Sequence, residues 1–253
     1  IMLKNRVWQF SPDLIVLQTY TGNDLFDNHR ALSLANSDET PYFLFRDGKL
    51  ILDDSFSQGP KFSPARIRLK GMGSDLMNSS IVLQSVYHVR LVLAQRKKIN
   101  AVHQRGTLPP NYQQFLSFLP PELPEMKATW QVTEALLSEF IRDVRSHGVP
   151  VMILIMPSPQ QFDPDESKRA ETFARHKIHS LEYADDRVEE LAKQHKVPTV
   201  RPVQRFLDEH KRTGKYLAGF PNTGPQQGHL NEFGHAVVAR ELSKAIRTLA
   251  SGN

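Results

Sequence analysis

The stretch Leu14-Ile15-Val16-Leu17-Gln18-Thr19-Tyr20, running on into Thr21-Gly22-Asn23-Asp24, decides the fold. It is short, nearly continuous in apolar character, follows Pro12-Asp13 and stops at a turn signal. Such a run reads as a strand buried on both faces, as in a parallel sheet. Val149 to Met156 repeats the signal and ends at Pro157-Ser158-Pro159, and Val197-Pro198-Thr199-Val200 is a weaker third strand. Ahead of the second strand, Leu136, Leu137, Phe140, Ile141 and Val144 form a helical stripe closed by Ser146-His147-Gly148. Helix, short turn and buried strand in succession are the rhythm of a doubly wound sheet. The expected fold is a three-layer α/β/α domain around a parallel sheet.

Between the first two strands the pattern changes. Tyr42 to Leu52 reads as a β-hairpin with Asp47-Gly48 at its turn. A long helix is expected from about Asp75 to Ile99, with Ser74 as its N-cap, followed by proline-rich connection from Leu108 to Pro124. Residues from about 40 to 127 therefore form an insertion in one domain spanning 1–253, and no internal repeat is evident. After the second strand, Asp165 to Gln194 fits one or two charged surface helices, and Val203, Phe206 and Leu207 begin another. In the last helix Asn231 is the expected N-cap, and Val238, Leu242, Ala245, Ile246 and Leu249 supply the buried face.

Composition narrows the function classes. The chain has 253 residues, is 40% hydrophobic and 23% charged, and carries a net charge of +5, ordinary for a globular domain. The basic residues are scattered, and the densest run, Arg96-Lys97-Lys98, reads as an exposed helix end, so nucleic acid is not an expected partner. The absence of cysteine excludes disulfides, thiolate nucleophiles and Cys-ligated zinc. Val149 to Pro157, the longest apolar run, is nine residues, about half of a membrane span. No GxxxxGK[ST] or GxGxxG follows any expected strand. The chain carries no signal peptide and begins with Ile1 rather than Met, so the compartment is left open, an extracytoplasmic one being expected only if a targeting segment preceded Ile1.

Two polar clusters hold the chemistry. Gly22-Asn23-Asp24 follows the first strand, where ligands sit in open parallel sheets. Gly22 permits a tight turn, and the Asn23 amide can donate to an oxyanion; the plainer reading is an Asx turn. The second cluster is Gly228-His229-Leu230-Asn231-Glu232-Phe233-Gly234-His235. His229, just ahead of the last helix, has the titration range of a general base. His235 falls inside the helix and reads as a residue satisfied by local hydrogen bonds. The two histidines lack a third ligand and no HExxH spacing occurs, so no metal is expected.

These blocks resemble those of the SGNH/GDSL hydrolases. Pro12-Asp13-Leu14-Ile15-Val16-Leu17 with Gly22-Asn23-Asp24-Leu25 and Asp27-Asn28 looks like the family's asparagine block. Gly228-His229-Leu230-Asn231 with Gly234-His235 and Val238-Ala239 looks like the block of its catalytic histidine, about two hundred residues later and in the family's order. The resemblance implies a flavodoxin-like sheet and hydrolysis of esters, often of carbohydrates or lipids, without a cofactor. It implies that Asn23 is an oxyanion donor, that Gly22 shapes its loop, and that His229 takes the proton from a serine.

The chain departs from the family in two places. The Gly-Asp-Ser block and the second glycine block should precede Asn23, yet only 22 residues do, and neither block is among them. The nearest imitation, Gly71-Met72-Gly73-Ser74-Asp75, follows a charged, alternating stretch. The family's acid, three residues before the histidine, is Gln226 here, with Gln227 beside it; Asp163, Asp165 and Glu232 are alternatives. The leading expectation is the larger C-terminal part of an ester hydrolase whose nucleophile lies on a missing N-terminal segment. That segment, or another chain, is expected to pair with strand 14–20, because exposed edges invite pairing. The alternative is a non-catalytic carbohydrate-binding or structural module of the same fold. Trp130, Tyr112, Phe115 and Phe118 read first as core, and only second as a substrate groove.

Overall fold

The computed structural model describes residues 2–29, 32, 41–59, 62–90 and 115–251. Three parallel strands, β1 (Ile15–Tyr20), β4 (Val151–Met156) and β5 (Thr199–Val200), form a sheet in the order β1-β4-β5. Strands β2 (Tyr42–Arg46) and β3 (Lys49–Asp53) form a separate antiparallel hairpin.

The centre of the sheet is β4, whose six residues are all buried. Side chains alternate across a strand, so Val151, Ile153 and Ile155 face one layer and Met152, Leu154 and Met156 the other. The first set packs with Ile141 and Val144 of α4 (Pro124–Ser146) and with Ala184, Val188 and Ala192 of α6 (Tyr183–Gln194). The second packs with Val238, Leu242, Ala245, Ile246 and Leu249 of α8 (Glu232–Ser251). The result is a mixed α/β fold with helices on both faces of a parallel sheet. No described helix is long and apolar enough to cross a membrane.

Strand β1 corrects one expectation. Ile15 is buried, Gln18 is exposed and the other four residues are half-buried. The cause is its place in the sheet, since among the described residues β1 pairs with β4 alone. Ile15 donates its N–H to Pro150 at 3.0 Å, and the paired register runs to Tyr20↔Met156. Backbone groups alternate sides along a parallel strand, so those of Val16, Gln18 and Tyr20 face the open edge. The expected strand partner is not among the described residues, and this edge faces an open cavity of about 1070 Å³.

The insertion keeps its hairpin but not its helix. Asp47 and Gly48 both have positive φ, 50° and 73°, as a two-residue type I′ turn demands, and the hairpin leans on α4. Among the described residues, the helix expected from Asp75 is broken, and its part from 91 to 99 lies outside them. Instead α3 spans Pro64–Asn78, and residues 81–90 make a separate helical stretch. Pro64 at the first turn fits a helix start, and Gly71 and Gly73 are accepted in its interior at about 1 kcal/mol each. Ser74 therefore sits inside a helix and caps nothing. The break falls at Ser79 and Ser80, where the Ser80 hydroxyl accepts the Leu83 N–H at 3.4 Å. Arg96-Lys97-Lys98 and Tyr112 lie outside the described residues.

The flanking helices position the loops. Helix α5 (Glu166–His176) starts at Asp165, whose carboxylate accepts the N–H groups of Ser167 and Lys168. Phe206 of α7 (Val203–Thr213) packs with Phe162, Leu217, Ala218 and Val237, fastening the loop after β4 to the loop ahead of α8.

Candidate active site

The carboxyl ends of β1 and β4 carry the polar residues. Beyond Tyr20 the chain turns through Thr21, Gly22 and Asn23 into the short helix α2 (Asp24–Asp27). A Cβ at Gly22 would sit 2.7 Å from the Tyr20 ring, so a larger residue would displace that ring. The Asn23 carbonyl accepts the N–H groups of Phe26 and Asp27, and its Nδ2 lies 3.4 Å from Asp27 Oδ2. Asp24 Oδ2 accepts the Tyr20 N–H at 2.7 Å, capping the last outward-facing amide of β1. Burial raises the Asp24 carboxyl above its ordinary range, the Tyr20 N–H partly offsets this, and Asp27 adds to the rise. Tyr20 is raised too, by burial first and then by Asp24 and Asp185.

Beneath this turn lies a buried network that the sequence reading missed. Asp185, 2% exposed, accepts the Thr21 hydroxyl at 2.5 Å and Gln161 Nε2 at 2.7 Å. Gln161 Oε1 in turn accepts the Ser158 N–H at 2.6 Å. One carboxylate thus ties the loop after β1 to the loop after β4. Burial raises Asp185, while Thr21, Gln161 and Arg201 act against the rise. The available signal was periodicity: Asp185, Val188 and Ala192 are all buried along α6, and an acid among buried positions needs partners. Outside it, Arg201 bridges Glu182, Asp186 and Glu189 at 2.7–2.8 Å.

His229 sits on the loop leading to α8. The His229 carbonyl accepts the Gly219 N–H at 2.9 Å, and Ala218 and Leu230 form an isolated bridge. Asn231 is the expected cap: its Oδ1 accepts from Phe233 and Gly234, and its Nδ2 donates to Tyr216. Gly234 is required by close approach, because a Cβ there would collide with the Leu217 carbonyl oxygen. Leu230 packs against the Met152-Leu154-Met156 face of β4, and Gln226 bonds Pro159 and Phe162, so the loop lies beside the carboxyl end of β4.

The imidazole itself is exposed, and among the described residues it has no hydrogen bond. No hydrogen bond joins it to Asn23. Gln226, in the place of the family's acid, donates Nε2 to the carbonyls of Pro159 and Phe162 at 3.3 and 3.1 Å, and so fastens the loop rather than orienting His229. Asp165 is occupied as the α5 cap, Asp163 accepts the Asp165 N–H at 3.0 Å, and Glu232 is exposed. His235 is exposed with no side-chain hydrogen bond, which corrects the local bonding expected of it. Ser74 and Ser243 are exposed on helices, and the Ser158 hydroxyl is buried without a partner. Trp130 and Phe118 are core residues, with the Arg187 guanidinium 4.4 Å above the Trp130 ring. No group of three or more metal-ligating side chains occurs among the described residues.

No family model matches the chain, and no curated protein or solved structure resembles it closely enough to register as a match.

Proposed function

We propose that the chain is the larger part of an SGNH/GDSL-type ester hydrolase whose nucleophilic serine lies on a segment outside these 253 residues. The observation that carries the reading is the convergence of two loops on one end of the sheet. Gly22-Asn23 follows β1 directly, and the His229 loop is fastened to the loop after β4 through Gln226 and Leu230. Open parallel sheets bind ligands at that end. Among the described residues the outer edge of β1 has no strand partner and lies beside a cavity, which supports a further strand carrying the serine.

The chemistry assigned to the residues is acyl transfer. The serine oxygen adds to the ester carbonyl while His229 takes its proton, and Asn23 Nδ2 donates to the oxyanion together with backbone N–H groups. Collapse expels the alcohol, which leaves with the proton from His229, and water then releases the acid by the same route. No cofactor or metal takes part in this scheme.

A second reading has a specific observation in its favour. Gln226 is committed to backbone carbonyls and no carboxylate bonds His229, an arrangement that suits a non-catalytic carbohydrate-binding or structural module.

Fluorophosphonate labelling separates the two. The isolated chain is expected to stay unlabelled, and a longer chain containing the missing segment to take up one adduct on a serine. His229→Ala should abolish turnover of a short-chain ester with little change in melting temperature, and Asn23→Ala should cost about 2.7–4 kcal/mol of transition-state stabilisation. An adduct on the isolated chain at Ser74, lost in His229→Ala, would contradict the assignment. A longer chain that binds glycan but neither labels nor turns over ester would establish the second reading.

A further inference from the structure

The floor beneath the turn after β1 is polar where a core is ordinarily apolar. Thr21, Ser158, Gln161 and Asp185 are each no more than 5% exposed. Burying a carboxylate there is costly unless the donors around it are aimed at it. They are, and in one sense only. Asp185 accepts the Thr21 hydroxyl at Oδ1, 2.5 Å away, and Gln161 Nε2 at Oδ2, 2.7 Å away. This orients the Gln161 amide, so that its Oε1 accepts the Ser158 N–H at 2.6 Å.

The ends of this chain of bonds stand beside the two groups assigned to the chemistry. Thr21 lies two residues ahead of Asn23. Gln161 lies in the segment 158–162, whose Pro159 and Phe162 carbonyls accept Gln226 Nε2 at 3.3 and 3.1 Å. Gln226, three residues ahead of His229, also donates its backbone N–H to Ala218 at 2.9 Å. The His229 carbonyl accepts the Gly219 N–H at the same 2.9 Å. The His229 loop is therefore held to the loop after β4, and that loop is held through Asp185 to the turn of Asn23. Asp185 stands on a fixed support, since Ala184, Val188 and Ala192 of the same helix are buried in the core with β4.

We propose that Asp185 is a positioning residue: it sets where the Asn23 amide stands relative to the His229 imidazole. It acts through Thr21 on one side and through Gln161 and Gln226 on the other. The catalytic sense of this role rests on the ester-hydrolase reading; the geometric sense does not. An oxyanion donor and a base must keep their places together, and a displacement of about 1 Å costs about a hundredfold in rate.

The test of geometry uses the 253-residue chain, which has no cysteine. Cysteines in place of Asn23 and His229 then take two spin labels and no others, and dipolar spectroscopy reads their separation. A single narrow separation is expected. Asp185→Ala and Thr21→Val should each broaden it, the second by removing one hydroxyl without opening a cavity. Asp185→Asn should keep it narrow, because its amide can donate to Thr21 while its carbonyl accepts from Gln161. Ile141→Val, a fully buried core change that lowers the melting temperature without touching the network, should also leave it narrow. A separation unmoved by both Asp185→Ala and Thr21→Val, or broadened as much by Ile141→Val, overturns the proposal.

The kinetic test uses a longer chain containing the serine segment. Asp185→Ala and Thr21→Val should lower kcat for a short-chain ester about a hundredfold, with KM nearly unchanged, and Asp185→Asn should keep kcat near that of the parent. Turnover with a kcat unmoved by Asp185→Ala and Thr21→Val overturns the catalytic role of Asp185 alone. A longer parent that turns over no ester overturns the hydrolase reading, and the spin-label separations then decide the geometric role by themselves.

Discussion

Strands β1 and β4 lie side by side in one sheet and are written in nearly the same alphabet, yet they fare differently. All six residues of β4 are buried, while β1 has one buried residue, four half-buried ones and an exposed Gln18. The difference is one of neighbours. β4 has β1 on one side and β5 on the other, with α4, α6 and α8 over its faces; among the described residues β1 has β4 on one side and a cavity of about 1070 Å³ on the other. An apolar run therefore reports that a segment is suited to burial, not that it is buried. Where the two disagree, the strand shows an edge to which something else fits.

The largest expected effect breaks the comparison if it fails. Ile155→Ala in β4 should lose about 2–5 kcal/mol of unfolding free energy, as fully buried large-to-small changes do. Leu17→Ala in β1 should lose clearly less, because its half-buried side chain leaves a smaller cavity. Urea unfolding of both variants checks this, and equal losses would mean that β1 is as enclosed as β4.

A second variant sharpens the comparison at the join between the strands. Asp185→Ala leaves Thr21 and Gln161 without their acceptor, at a cost of about 1–3 kcal/mol for buried groups left unpaired. Its titration has a definite sign. Burial raises Asp185 in the folded chain, so the folded state holds that proton to higher pH than the unfolded state. Its contribution to stability then declines as pH rises from the unfolded value through the raised folded value, and is level above. Glu189 acts oppositely. Burial pushes it up, but Arg201 more than offsets this and holds it below the ordinary range, so its contribution is present at neutral pH and lost as pH falls. Asp185→Asn should remove only the first dependence, seen as a flatter decline in urea midpoints as pH rises above the ordinary carboxylate range.

The smallest expected effect lies farthest from the comparison. Asn231→Ala removes the acceptor for the Phe233 and Gly234 N–H groups at the start of α8, which covers one face of β4. A loss of about 0.5–2 kcal/mol is expected, and with it a less ordered His229 loop, since Asn231 also donates to Tyr216.

Much of the fold was legible because its signals are local. The strand positions, the Asp47-Gly48 turn, the α8 cap at Asn231 and the stripe of α4 each follow from a few adjacent residues. What escaped depends on distant partners. Asp185 is called into service by Thr21 and Gln161, 164 and 24 residues away, and the use of Gln226 to hold Pro159 and Phe162 is equally remote. The helix expected from Asp75 starts instead at Pro64, which suits a first helical turn, and breaks at the pair Ser79-Ser80. The Asn23 and His229 loops were readable as polar loops at strand and helix ends. Their place at one end of the sheet depends on Tyr20 and Leu230 packing against the Met152-Leu154-Met156 face of β4, which no spacing encodes.

The open edge of β1 is the claim on which the site rests, and backbone amide hydrogen exchange tests it most directly. Ile15, Leu17 and Thr19 face β4 and should exchange slowly, as β4 itself does; Val16 and Gln18 face the cavity and should exchange quickly. Tyr20 should fall between, because Asp24 holds its N–H. Alternating protection along β1 is the expected result. Uniform slow exchange from Ile15 to Thr19 would show that the edge is already paired, and would remove the place proposed for the missing strand.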